Sequence, residues 1–173
     1  DRVIRTATAF DRRLYERAKR ELTTLLKAKS NSLPRATIPR ARRADMRLLD
    51  YGYADYQHLF NARQLLHLAL LGREISFLEE KPQKALAFAF SDHLTTNNMM
   101  CAYAGGWRRL TPLFSIRAYR HISRPVELNP WLQSNGRGTF PNAVRSVLRA
   151  SEALKNPSEP TPMGLVRPIV DAK

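Results

Sequence analysis

Asn61, a residue able to cap a helix, stands directly before ARQLLHLALLGREISFLEE, and in that run Leu65, Leu68, Leu71, Ile75 and Leu78 return every three or four residues. A side-chain oxygen at Asn61 can accept from the free N–H groups of a first turn, and the spacing gathers the leucines on one face. The segment is thus expected to be a capped helix with one buried stripe. A chain organised around it should be mainly helical.

The flanking sequence extends the pattern. From about Thr8 to Lys29, Phe10, Leu14, Ala18, Leu22, Leu25 and Leu26 predict an amphipathic surface helix. Ser30 to Arg47 holds two prolines and five arginines against one Asp, a composition for an extended arm that is ordered on a partner. Pro82 suits a first helical turn, and Leu86, Phe90, Leu94 and Met100 then predict a central core helix. A connection around Lys81 and Pro82 makes the two central helices an antiparallel hairpin. After Gly105 and Gly106, Pro112, Pro125 and Pro130 cut the chain into short pieces, with a helix expected around Leu113 to Tyr119 and a brief strand at VEL. Gly136, Arg137 and Gly138 predict a turn, and Pro141 the first turn of a last helix, Asn142 to Lys155, with Val144, Val147, Leu148 and Leu154 inward. The expected fold is mainly α: a compact helical domain with a central helix hairpin, irregular Arg-rich loops and at most a short strand or two. Its segments read as an N-terminal amphipathic helix (1–29), a basic Pro-containing linker or arm (30–47), a helical domain (48–155) and a Pro-rich tail (156–173).

Charge bears on function. The 173 residues carry a formal +14, and 22 of the 29 basic side chains are Arg. So unbalanced a surface points to a polyanionic partner, with DNA foremost, although a solubility surplus is the plainer alternative. Cys101 is the single cysteine, which excludes an intrachain disulfide and a cysteine-built zinc site and suits a reducing compartment. No apolar run reaches the roughly 20 residues of a bilayer span, so a cytoplasmic protein with no membrane partner is expected. The chain begins at Asp1 rather than Met and ends on a tail that looks unfinished, which reads as a fragment of something longer.

Two places are suited to nucleic acid. At the start of the Asn61 helix, Arg63 is placed to hold phosphate or read guanine and Gln64 to read adenine, with Tyr51 and Tyr53 nearby to stack on a base. A structural reading stands beside this one: Gln64 bonded to the preceding YGY loop and Arg63 paired with Asp55. Between Asp92 and Glu127 there is no acid, and Arg108, Arg109, Arg117, Arg120 and Arg124 interleave with Trp107, Phe114, Tyr119 and His121. That mixture joins phosphate pairing to base stacking, or else its aromatics fill the core. Catalytic residues are not expected: His58, His67, His93 and His121 are scattered, with no metal-ligand or paired-carboxylate spacing. A phosphate nest at Gly136-Arg137-Gly138 is weaker than a plain helix-start turn.

YGYADYQHLFNARQLLHLALL resembles the large zinc-ribbon-containing adenine-specific DNA methylases of bacteria, including members found in anti-phage defence islands, where Tyr-Gly is followed by Leu-Phe-Thr-Pro-Arg-Gln-Leu-Leu. TTNNMMCAY, FSIRAYRHISRPVELNPW and GRGTFPNAVRSVL continue the resemblance in order over about residues 45 to 155. Asn61-Ala62 replaces Thr-Pro, the zinc-ribbon cysteines are missing, and neither a Gly-rich S-adenosylmethionine loop nor Asp-Pro-Pro-Tyr occurs. Asn129-Pro130-Trp131 lacks the second proline of the amino-methyltransferase signature and is not taken as an active site. The resemblance implies a helical region between zinc ribbon and catalytic motif. It would bind no cofactor itself, S-adenosylmethionine being held elsewhere in the parent protein. Its partners would be DNA and the rest of the methylase or a defence-system subunit. A structural or protein-interaction module is the rival expectation.

Overall fold

The computed structural model describes residues 5–28, 33–40, 46–106, 109–113, 115, 122–123, 125–133, 138–155, 157–160 and 162–169. Among them the fold is mainly α, as the periodicity predicts, with two small antiparallel strand pairs beside the helices.

Thr8 and Asp11 start helix α1 (Ala9–Lys27) by capping each other: Asp11 N–H donates to Thr8 Oγ1 at 3.3 Å and Thr8 N–H to Asp11 Oδ2 at 2.8 Å. The Thr8 hydroxyl and amide, with Arg5, hold the Asp11 carboxyl well below the usual carboxylate range. The apolar stripe is narrower than its spacing predicts. Ala18 and Leu22 are buried, whereas Phe10, Leu14 and Leu26 stay exposed, because α1 packs chiefly against α3.

The arm is extended, but its described part is tied down by this chain rather than left for a partner. Leu33 packs with Ala18, Leu22, Leu65, Leu66 and Ala69, and Ile38 with Leu48, Leu59 and Met100. Its backbone pairs with the tyrosine loop: Ile38 N–H donates to Ala54 O at 2.8 Å and Tyr56 N–H to Ala36 O at 3.3 Å. Helix α2 (Arg47–Asp50) and a 3-10 turn (Tyr56–Leu59) flank that loop and turn Leu48 and Leu59 inward.

Helix α3 (Ala62–Ser76) is the centre of the fold. Asn61 Oδ1 accepts from the N–H groups of Arg63 (3.0 Å) and Gln64 (2.9 Å), and Gln64 Oε1 accepts from Asn61 N–H (3.0 Å). Leu65, Leu66, Leu68, Ala69 and Ile75 are buried, but Leu78 lies beyond the helix end and is exposed. Helix α4 (Glu80–Leu94) runs back along it, with Gln83 donating to Ser76 O near the connection and His93 meeting His67 at the far end, so the hairpin is antiparallel. The expectation of α4 as central core helix is corrected. It buries only Ala89 and His93, leaves Phe88 exposed, and stops before Met100. Asn98 ends it by donating from Nδ2 to the carbonyls of Leu94 (2.8 Å) and Thr95 (3.2 Å), the acceptors that a helix end leaves free.

β1 (Tyr103–Ala104) pairs with β2 (Arg109–Leu110) around the two glycines. Residues 126–128 form no strand, correcting that expectation, and most of the helix expected at 113–119 lies outside the described residues. Helix α5 (Phe140–Lys155) takes Pro141 in its first turn and packs on α4 through Phe140 and Ala143 against Ile75 and Ala89. Val144 and Val147 join this cluster, in which Ile75 belongs to α3, but Leu148 and Leu154 face outward, contrary to expectation, since the cluster covers only the first half of α5. In the tail β3 (Ser158–Pro160) pairs with β4 (Val166–Pro168), and Gly164 supplies a positive φ in the turn.

Candidate functional site

The arginine of the α3 start is engaged within the chain. Arg63 Nε donates to Glu127 Oε1 at 2.7 Å and Nη2 to Oε2 at 2.8 Å, a bidentate pair, while Asn61 Nδ2 donates to the same carboxylate at 3.0 Å. The partner is thus Glu127 rather than Asp55, which lies near His58 instead. Arg63 also stands 5.8 Å from the ring of Tyr15 on α1, and the Glu127 bonds make its guanidinium harder still to deprotonate. Gln64 is 2 % exposed and spends its amide oxygen on the cap, the structural role that the sequence also allows.

Beside the ion pair a cleft of about 370 Å³ is lined by Arg63, Gln64, His67, Asn97, Glu127 and residues 128–130. Behind it lies a histidine pair. His93 Nδ1 is 2.7 Å from the carbonyl oxygen of Gly138. A carbonyl only accepts, so the proton is on Nδ1 and His93 Nε2 presents its lone pair. Asn97 Nδ2 donates to that lone pair at 3.3 Å, and His67 Nε2, at 3.1 Å, brings its own proton. His67 is left with an accepting Nδ1.

Both rings are held neutral. Burial, then the neighbouring His93, pulls the His67 pKa down to about 4 against the opposing field of Glu127. Burial also lowers that of His93, against the Gly138 carbonyl and Asp92. Trp131 packs edge-on against His67 at 5.6 Å and Phe140 against His93 at 5.9 Å, closing an aromatic layer around the pair. A neutral acceptor suits a hydrogen-bond donor better than proton transfer near neutrality, which needs a base whose pKa is near the working pH.

Gly138 makes this arrangement possible. Its φ is +91°, and a Cβ there would overlap the Thr96 side chain, whose hydroxyl donates to Gly138 O at 2.9 Å. The glycine expected as a plain turn is the point where α4 and α5 are joined. The buried Thr139 hydroxyl has no hydrogen-bond partner among the described residues. Burial pushes the Cys101 thiol up to about 11, which keeps it protonated.

The other residues suited to nucleic acid are dispersed or outside view. Tyr51 is exposed, Tyr53 packs against the Ile38–Met100 cluster, and Arg109 sits exposed on β2. Trp107, Arg108, Arg117 and Arg120 lie outside the described residues, as do Phe114, Tyr119, His121 and Arg124. His67, Asn97 and Glu127 line the cleft and His93 stands behind it, although the sequence did not single them out together. The available signal was hairpin register: His67 and His93 are equidistant from Glu80, where α4 begins. Among the described residues no group of three or more His, Cys, Asp or Glu side chains could hold a metal ion. No protein-family model, curated protein or solved structure matches the chain.

Proposed function

We propose that the chain is a DNA-binding helical region of an S-adenosylmethionine-dependent, adenine-specific DNA methyltransferase, of the kind associated with phage defence. The observation that carries this reading is charge left over after internal pairing. Asp11, Glu16, Glu21, Glu74, Glu80, Glu127, Glu152 and Glu159 each contact an Arg or Lys, yet Arg12, Arg13, Arg20, Lys27 and Arg40 are exposed with no acidic partner among the described residues. The ordered resemblance over residues 45 to 155 supports the family. S-adenosylmethionine does not fit the described residues: their strands form only two-stranded antiparallel pairs, with no strand, Gly-rich turn and helix in succession to receive a nucleoside cofactor. Methyl transfer is therefore left to another part of the longer protein.

Fluorescence anisotropy of labelled DNA tests the reading. Affinity should fall steeply as salt rises, because each neutralised phosphate releases counterions. No salt-dependent binding by the full chain would overturn it.

A structural or protein-interaction role is favoured by a different observation, the exposed Leu148 and Leu154 on α5 and Phe77 and Phe88 on the hairpin. Light scattering that shows stable self-association, together with weak DNA binding unaffected by replacing Arg108 and Arg109 with Ala, would support that role instead.

A further inference from the structure

Arg13, Arg20 and Lys27 follow one another along α1 at seven-residue intervals, which is close to two helical turns. They share one face, at steps of roughly 10 Å along the axis. That face is opposite the buried Ala18 and Leu22, and Arg12 lies beside it. All four cations are exposed, and none has an acidic partner among the described residues. The acids of α1 are occupied elsewhere: Asp11 by Arg5, Glu16 by Lys19 and Glu21 by Arg17. Among the described residues nothing in the packing of α1 uses this row.

We propose that the outer face of α1 lies along the phosphate backbone of duplex DNA, an inference that rests on the DNA-binding reading above. Shape and chemistry both favour a duplex over a single strand. A helix of 19 residues holds the row at fixed spacing over roughly 28 Å, and duplex DNA presents its phosphates along a stiff rod, with a persistence length of roughly 150 bp. Single strands are usually held by aromatic platforms as well as cations. Beside Arg13, Arg20 and Lys27 on this strip lie Glu16, Arg17, Thr23 and Thr24, with no aromatic; Arg12 and the exposed Phe10 stand on its two flanks, and Tyr15 is turned toward α3, between Lys19 and Arg63. Backbone contact without base stacking is what the row can supply.

The test uses the full chain, a fluorescein-labelled duplex and a labelled single strand of equal length. In the variant Arg13→Gln/Arg20→Gln/Lys27→Gln, the log–log salt slope for duplex should shrink by about 2.7, and affinity at physiological salt should fall roughly tenfold or more. Lys81→Gln/Lys84→Gln/Lys155→Gln removes the same charge from α4 and α5 and should change the slope by less than half as much. Gln keeps good helix propensity at these exposed sites, and circular dichroism checks that both variants are folded. Equal slopes for the two variants, or tighter binding of single strand than duplex by the parent chain, would overturn the α1 assignment while leaving DNA binding standing. Absence of salt-dependent binding by the parent chain would remove the broader reading itself.

Discussion

At the residue scale the most consequential groups are two imidazoles whose protons are dictated by a carbonyl. His93 donates to Gly138 and accepts from Asn97 and His67, so a proton added at His93 Nε2 removes both bonds accepted there, whereas one added to His67 enters at Nδ1 and places a charge in the buried layer. Their pKa values are depressed in the fold, which means that below the ordinary imidazole value of 6.5 the unfolded chain takes up protons that the folded one refuses. This contribution to stability is complete above about pH 6.5 and is lost as pH falls toward 4. Urea midpoints measured across that window should drop with acidity, and the drop should flatten in His67→Phe. Gly138→Ala should cost about 2–4 kcal/mol in the same assay, combining an unfavourable φ with overlap at Thr96; a loss below ~1 kcal/mol would show that the turn relaxes. None of this was legible in single residues. The partners are 26 and 45 positions apart, and Arg63 and Glu127 are 64 apart. Such pairs emerge only from the register of packed helices, whereas the Asn61–Gln64 cap, three residues long, is a local pattern.

At the scale of elements, helix starts were easier to read than helix ends or faces. Asn61 and Pro141 sit where capping and first-turn chemistry put them. The end of α4 is written by an asparagine folding back on two carbonyls, a signal carried by polar side chains and invisible to a search for apolar spacing. Faces misled for another reason. Periodicity says which side of a helix is apolar, but the neighbouring elements decide how much of it is covered: α1 packs chiefly on α3, and α5 is covered along its first half by α3 and α4. Asn61→Ala should destabilise the fold by about 1–2 kcal/mol, since the cap bonds to Arg63 and Gln64 disappear. Leu154→Gln, at a side chain 81 % exposed, should stay within about 0.5 kcal/mol. Chemical denaturation of both variants against the parent chain would separate a working cap from an idle apolar face.

Across the whole molecule, stability is unevenly distributed. Three small clusters join α1 to α3, the arm to the tyrosine loop, and α3 and α4 to α5. The β3–β4 hairpin pairs chiefly with itself, and an isolated two-stranded hairpin is marginal in water. Truncation after Lys155 should therefore shift the unfolding free energy by less than about 1 kcal/mol, as measured by urea titration. The mainly helical architecture was legible because helical period is written locally, while the gathering of charge on one side of α1 required knowing which side faces α3. The bond from His93 to Gly138 spans 45 residues, and its consequence reaches beyond the core. It ties the end of α4 to the residues just before α5, between which the sequence carries the acid-free arginine run. Any molecule that binds the chain only with this tie made is linked by mass action to it, so tight binding should shield the imidazole from acid, and acid should loosen the grip.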